Sequence, residues 1–298
     1  MNEPLAQPGS GLSSDGSATN GTGRQDGAPD LHDSPDTQGA PDTHLPGGSP
    51  AGRPLTPGSQ AWHGTYRAQP VSFVRRGSRL QGRRQKAWEE HAGSYVIDVP
   101  RHVADTSVHP DFTLDAEAVY GRKAPLIVEI GSGLGEAVVH AAAENPGTDF
   151  LAVEVYRPGL AQTLLKVASR GLTNVRVVQA NAPEVLSTMI RPGSLAEVWV
   201  FFPDPWHKAK HEKRRLVTPA FAEQVAAALV PGGIWRLATD WEHYAQQMRQ
   251  VGEASSSFMN LNPSSDWAPR FAGRILTSFE NKAHQAGRSV HDLAYRKV

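Results

Sequence analysis

The chain has 298 residues, with 30 lysines and arginines against 30 aspartates and glutamates, and no cysteine. That length allows one large domain or two small ones, and the missing cysteines exclude disulfides, thiolate zinc sites and a cysteine nucleophile while agreeing with a reducing compartment. No apolar run approaches the ~20 residues of a membrane span and no signal-peptide pattern opens the chain, so a soluble, cytoplasmic protein is expected.

The balanced total hides an asymmetry. Residues 1–60 carry seven acids and two arginines, a balance of −5, which leaves +5 on the other 238. Those first 60 residues also hold 20 Gly and Pro, no aromatic, and "GAPD" twice. Such a composition buries too little apolar surface to offset the entropy of ordering, so a disordered acidic tail is expected. Residues 61–124 read as a basic extension of the domain that follows. There Arg67, Arg75, Arg76, Arg79, Arg83, Arg84, Lys86 and Arg101 stand among Trp62, Tyr66, Phe73 and Trp88. Cations interleaved with aromatics suit phosphate and base contacts, although a charge run is as often a solvated face.

From Pro125 to the C-terminus strands and helices alternate. "PLIVEI" is a short apolar strand, and Glu136–Glu144 a helix closed by Asn145-Pro146. "DFLAVEV" is the second strand. Arg157–Arg170 repeats apolar residues at Leu160, Leu164 and Val167, and Gly171 stops it. "VRVVQ" (strand), Pro183–Ile190 (helix) and "LAEVWVFF" (strand) follow. Thr218-Pro219 opens a helix with a hydroxyl cap and a first-turn proline. "IWRLAT" is a strand and Trp241–Val251 a helix. Repeated strand–helix units predict a parallel sheet covered on both faces. Two short strands, near Phe258–Leu261 and His291–Tyr295, are placed antiparallel at its end.

The loop after the first strand, "EIGSGLGE", places Gly131, Gly133 and Gly135 as G-x-G-x-G. A dinucleotide fingerprint wants its third small residue at position 136, where Glu136 stands. That acid at a helix start, with Glu129 two residues before the first glycine, repels a pyrophosphate. The loop suits a positively charged ligand that needs close backbone approach, as S-adenosylmethionine does. Glu154, ending the second strand, is placed to accept from the ribose hydroxyls, and Asn181, after the third, to meet the adenine edge. The alternative is a turn glycine loop among surface acids.

After the fourth strand comes "FPDPWHKAKHEKRR". Ligands of open α/β sheets bind beyond the carboxyl ends of the strands, which is where Asp204 falls. Pro203 and Pro205 stiffen its loop, although Asp-Pro is also common turn chemistry. Lys208, Lys210, Lys213, Arg214 and Arg215 then form a basic strip suited to a nucleic-acid backbone. His207 and His211 stand four apart, but no third ligand is fixed by spacing, so no metal site is expected. Further on, Asp240 reads as a cap for the helix at Trp241, and "TSFE" (Thr277, Ser278, Phe279, Glu280) as a capping box.

Together, "SFVRRGSRLQGRRQKA", "EIGSGLGE", "FFPDPWHKAKHEKRR", "ATDW" and "TSFE" resemble the bacterial tRNA (guanine-N7-)-methyltransferase family, over about Pro70 to the C-terminus. The resemblance implies a Rossmann-like class I methyltransferase fold at 125–298, with a mostly parallel seven-stranded sheet. It also implies methyl transfer from S-adenosylmethionine to N7 of a variable-loop guanine in tRNA. Glu129, Glu154, Asn181 and Asp204 would line the cofactor pocket. Lys208, Asp240 and Thr277 to Glu280 would meet the guanine, and Lys210, His211, Lys213, Arg214 and Arg215 the RNA backbone. Asn181 stands where many relatives carry an acid, Ala209 interrupts the basic strip, and residues 1–60 have no counterpart in the family pattern. Asp204 is the expected catalytic group, as an orienting and electrostatic carboxylate. Two other readings stay open: a methyltransferase acting on a small molecule or protein, which has no use for the basic strip, and a non-catalytic RNA-binding subunit, against which the retained Glu129, Glu154 and Asp204 speak. A Rossmann dehydrogenase comes third. Oligomeric state cannot be read.

Overall fold

The computed structural model describes residues 79–298. The expected acidic tail and Trp62, Tyr66, Arg67, Phe73, Arg75 and Arg76 lie outside the described residues. Helices α1 (Gly82–Tyr95) and α2 (Ala116–Tyr120) precede β1 (Leu126–Ile130). Then come α3 (Glu136–Glu144), β2 (Asp149–Glu154), α4 (Arg157–Ser169) and β3 (Val175–Gln179). A helical turn, Ala182–Glu184, runs into a π-turn, Val185–Met189, before β4 (Leu195–Phe201). A 3₁₀ turn (Ala209–Arg214), α5 (Pro219–Ala228), β5 (Leu229–Thr239) and α6 (Glu242–Ala254) follow. The last elements are β6 (Phe258–Asn260), α7 (Ser278–Gln285) and β7 (His291–Lys297).

The strands form one sheet in the order β3-β2-β1-β4-β5-β7-β6. Strands β1 to β5 are parallel, and β7 inserts antiparallel between β5 and β6. Side chains leave a strand on alternate faces, and here both faces are apolar. Val128, Leu151, Val198 and Trp235 enter a core with Phe221 and Val225 of α5 and Tyr244 and Met248 of α6. Phe150, Ala152 and Trp199 enter a second core with Val138 of α3 and Leu160 and Leu164 of α4. The seven-stranded, mostly parallel α/β architecture agrees with the sequence reading.

Three details depart from it. Helix α1 was not foreseen. It lies against α4, with the Arg157 guanidinium 4.3 Å over the Trp88 ring, and the chain beyond it adds to the sheet edge through Ile97 N–H donating to Val177 O (2.8 Å). Pro183–Ile190 is not one α-helix. Ile190 N–H reaches Val185 O (2.9 Å), and the wider turn buries Val185, Leu186 and Met189 together. Strand β5 starts earlier, at Leu229, with a register break opposite Leu195–Glu197. Gly233 fits there because a Cβ would lie 2.9 Å from Val230 O and 3.1 Å from Ala196 O.

Candidate functional site

Because β1 to β5 run parallel, their carboxyl ends share one edge, and the chain reverses its winding between β1 and β4. Such switch points open a crevice. Five expected residues arrive at that edge by this topology alone: Gly131 after β1, Glu154 ending β2, Asn181 after β3, Asp204 after β4 and Asp240 after β5.

The glycine loop is built for close approach. Gly131, Gly133 and Gly135 have φ of 70°, 56° and 71°, a region costly for residues with a Cβ. A Cβ on Gly135 would also strike the Thr163 side chain. Glu154 braces the loop: its Oε2 accepts from Gly133 N–H (2.9 Å), and its Oε1 from the N–H groups of Val155 (2.7 Å) and Tyr156 (2.9 Å). From the other side Lys166 Nζ donates to Leu134 O (2.8 Å). Burial raises the Glu154 carboxyl above its ordinary range, those three N–H groups pull it back, and the charge of Asp204 raises it again, which sets both acids in one field. Glu129 is buried, and burial pushes its carboxyl up to about 8, with the charges of Glu154 and Glu136 adding to the rise. Glu129 Oε2, Ser132 Oγ and both polar atoms of the Asn181 side chain, Oδ1 and Nδ2, are buried without a hydrogen-bond partner. Orphaned buried polar atoms are rare in folded proteins. Acceptors beside a glycine cradle fit S-adenosylmethionine, with its two cationic centres and ribose hydroxyls, better than a diphosphate. The segment before β1 closes one wall, where Asn181 N–H donates to Thr106 O (2.7 Å).

Asp204 lies on a loop held in an unfavourable shape. Phe202 and Trp206 have positive φ, 52° and 47°, which costs bulky residues roughly 1–3 kcal/mol each. The surroundings pin them. Phe202 N–H donates to Ala238 O (2.8 Å), and the Arg274 guanidinium lies 5.3 Å from the Phe202 ring. The Trp206 ring takes Arg214 at 5.0 Å and His211 edge-on at 5.8 Å. The Asp204 carboxyl is raised from its ordinary range by desolvation, although the residue opens to solvent.

Arg215 requires a correction. Expected on the RNA face, it is fully buried. Its Nε donates to Pro205 O (2.8 Å) and its Nη1 to Gln247 Oε1 (2.7 Å), with His243 Nδ1 at 3.0 Å. It therefore staples the Asp204 loop to α6. Lys208, Lys210 and Lys213 are exposed along the 3₁₀ turn, while His211 and Arg214 are half-buried.

The acceptor-side residues also rearrange. Asp240 caps nothing: α6 has Trp241 at its N-cap, with no side-chain cap, and Asp240 Oδ2 instead accepts from Arg288 Nε (2.8 Å). Thr277 does cap α7, its Oγ1 accepting from Glu280 N–H (3.2 Å), but Glu280 does not complete the box. Its carboxylate, 1% exposed, accepts from Arg270 Nε (2.9 Å) and Nη2 (3.0 Å), and Arg274 lies at 3.3 Å. Arg274, fully buried, also pairs with Asp292 of β7 (2.7 Å). Arg270, Arg274 and Asp292 carried no local signal, because their partners are distant in sequence. Ser278 gives both its N–H and its hydroxyl to Glu136 (2.8 Å each). Phe279 is 54% exposed and packs beside Gly133. Among the described residues no group of three or more His, Asp or Glu is arranged to hold a metal ion.

The family model described as "Putative methyltransferase" matches residues 123–293. A tRNA (guanine-N(7)-)-methyltransferase of Paenarthrobacter aurescens (strain TC1) is 59% identical, over 82% of this chain and 97% of that protein. One from Cutibacterium acnes is 46% identical, over 76% and 83%. Among solved structures, the 16S rRNA methyltransferase KamB aligns at 18% identity and TM-score 0.43, over 66% of this chain and 99% of that one, a likeness too distant to bear on the site.

Proposed function

The chain belongs to the tRNA (guanine-N7-)-methyltransferase family, and from that premise we infer the work of its site: transfer of a methyl group from S-adenosylmethionine to N7 of a guanine in tRNA, which we place in the variable loop. The observation that carries this reading is a carboxyl-lined glycine cradle and a strained, pinned Asp204 loop at one sheet edge, the loop running directly into exposed Lys208, Lys210 and Lys213.

When bound, S-adenosylmethionine supplies a methyl group on a positively charged sulfur. We assign Glu154 to the ribose, Asn181 to the adenine edge, and Glu129 and Asp204 to the cationic part, over Gly131, Gly133 and Gly135. Guanine N7 carries a free lone pair and loses no proton, so the site needs no general base. Its task is alignment and a fixed negative field around a charge that passes to the purine. Asp204, held by its strained loop, is assigned that role. Of the two carboxylates available for the guanine N1–H and N2–H groups, Asp240 is the accessible one, its Oδ2 already oriented by Arg288. Glu280 stands behind, occupied by two arginines. Lys208 is assigned to O6 and Phe279 to a stacking face, with Thr277 and Ser278 shaping that turn. N7 lies in the deep groove of an RNA helix, beyond side-chain reach, so the base must leave its stack. We assign residues 61–124 to further RNA contact and 125–298 to catalysis. We place the protein in the cytoplasm, as this substrate requires.

Incubation with methyl-labelled cofactor and unmodified tRNA, followed by borohydride/aniline scission, tests the reading. Cleavage at one variable-loop guanine is expected, and absence of label in tRNA would overturn it.

Two further outcomes follow. Lys210→Ala with Lys213→Ala should lower the salt slope of tRNA binding by roughly 0.7–0.9 per lost phosphate contact; an unchanged slope means these lysines touch no phosphate. Glu129 titrates in the cofactor-free site at about 8, so a cationic ligand must expel its proton. Affinity for S-adenosylmethionine should rise with pH toward about 8 and turn over above it, where the ligand's own α-amino group, ordinarily titrating at about 8, loses its charge. Calorimetry at pH 7 in buffers of differing ionisation enthalpy should detect proton release. Because the folded pKa lies above the ordinary 4.5, the native state binds the extra proton. The cofactor-free chain therefore loses stability as pH rises across that window.

A further inference from the structure

Glu136 stands where a phosphate-binding loop would place a small residue, on the first turn of α3 directly after Gly135. Its carboxylate is spent inside the protein. Oε2 takes both the backbone N–H and the hydroxyl of Ser278, each at 2.8 Å, while Oε1 lies 3.9 Å from Lys166 Nζ. Ser278 opens α7, where backbone N–H groups lack helical partners and the helix dipole favours negative charge. Two donors converging on one ionised oxygen make a strong, directional contact, and it joins segments 142 residues apart. What it positions matters. The next residue, Phe279, is a half-exposed ring packed beside Gly133 of the cofactor cradle.

We propose that Glu136 is a positioning residue for the methyl acceptor: through Ser278 it locks the start of α7 onto the glycine loop and so fixes the face that receives the extruded base relative to the cofactor. This rests on the reading of the site as a tRNA guanine methyltransferase. The acid that deters a diphosphate from one helix start is thus turned to bind a second helix start. With the contact broken, the Ser278–Phe279 start of α7 samples other positions although Glu280 still anchors the helix, and only a fraction of bound tRNA meets the cofactor in line. Affinity for tRNA, dominated by phosphate contacts, is little affected, as is the cradle, which keeps its direct braces from Glu154 to Gly133 and from Lys166 to Leu134.

The test is steady-state methyl transfer to an unmodified tRNA transcript, with calorimetry of S-adenosylhomocysteine. Glu136→Ala should lower kcat roughly tenfold, leaving KM for tRNA and Kd for S-adenosylhomocysteine within about twofold. Glu136→Gln, which still accepts from both Ser278 donors, should recover most of that loss. The double variant Glu136→Ala/Ser278→Ala should be no worse than Glu136→Ala alone. Three results would each overturn the proposal: loss of cofactor affinity in step with kcat, failure of the glutamine to rescue, or additive losses in the double variant. If the unaltered chain transfers no methyl group, the parent reading fails. If it does and Glu136→Ala matches it, only this inference fails.

Discussion

Asp204→Ala should lower the single-turnover rate of methyl transfer by roughly 10²–10³-fold, the cost of deleting one preorganised electrostatic partner, while tRNA affinity changes by less than about threefold. The asymmetry follows from place. Asp204 follows β4 at the carboxyl edge of the sheet and shares a field with Glu154, whereas the lysines assigned to phosphate lie further along, on the 3₁₀ turn. Asp204→Asn is the sharper probe, because it keeps the shape and removes the charge. If Asn restores the rate, orientation is the larger effect; if it does not, the field is. Rapid-quench kinetics with filter binding separate the two quantities, and equal losses of rate and tRNA affinity would remove Asp204 from the role assigned to it.

Arg215→Met should destabilise the chain by roughly 2–4 kcal/mol, because Pro205 O and Gln247 Oε1 lose their donor and a buried polar group left unpaired costs about 1–3 kcal/mol. For a domain of this size that lowers the thermal midpoint by on the order of 10 °C. The salt slope of tRNA binding should stay unchanged in this variant, because the guanidinium never reaches solvent. Lys213→Ala should behave in the opposite way, with a lower slope and an unmoved midpoint. Arg215→Met should also slow methyl transfer below the melting range, since Pro205 O loses its donor and the strain at Trp206 is then free to relax. Calorimetric melting and salt titrations of both variants decide the matter. A reduced salt slope in Arg215→Met would return that residue to the RNA face.

Which features a sequence discloses follows from how local their causes are. The strand–helix alternation was legible because "PLIVEI", "DFLAVEV" and "LAEVWVFF" carry their own apolar signal, and the strand ends then place Glu154, Asp204 and Asp240 without further information. Thr277 as a cap was legible for the same reason. Arg215 was misplaced because a run of cations does not say which one turns inward; that depends on Gln247 and Pro205, which no spacing joins to it. Asp240 was read as a cap because a carboxylate before a helix usually is one, whereas here Arg288, 48 positions away, holds it. Glu280 looked like half of a capping box until Arg270 and Arg274 took its oxygens. In each case the missing information was a partner supplied by the tertiary fold.

The position of β7 has one further consequence. The strand nearest the C-terminus does not sit at the margin of the sheet. It slots between β5 and β6, with its register running from His291 opposite Thr239 to Arg296 opposite Ile234, and its Asp292 supplies the counter-charge to the buried Arg274. On a ribosome, which delivers the N-terminal part first, the cradle around β1, β2 and β4 gains its sequence early, while Arg274 stays without Asp292 until β7 emerges. The Arg274–Glu280–Asp292 cluster behind α7 is thus completed later in synthesis than the cradle, and with it the part of the core that Leu293 and Tyr295 fill.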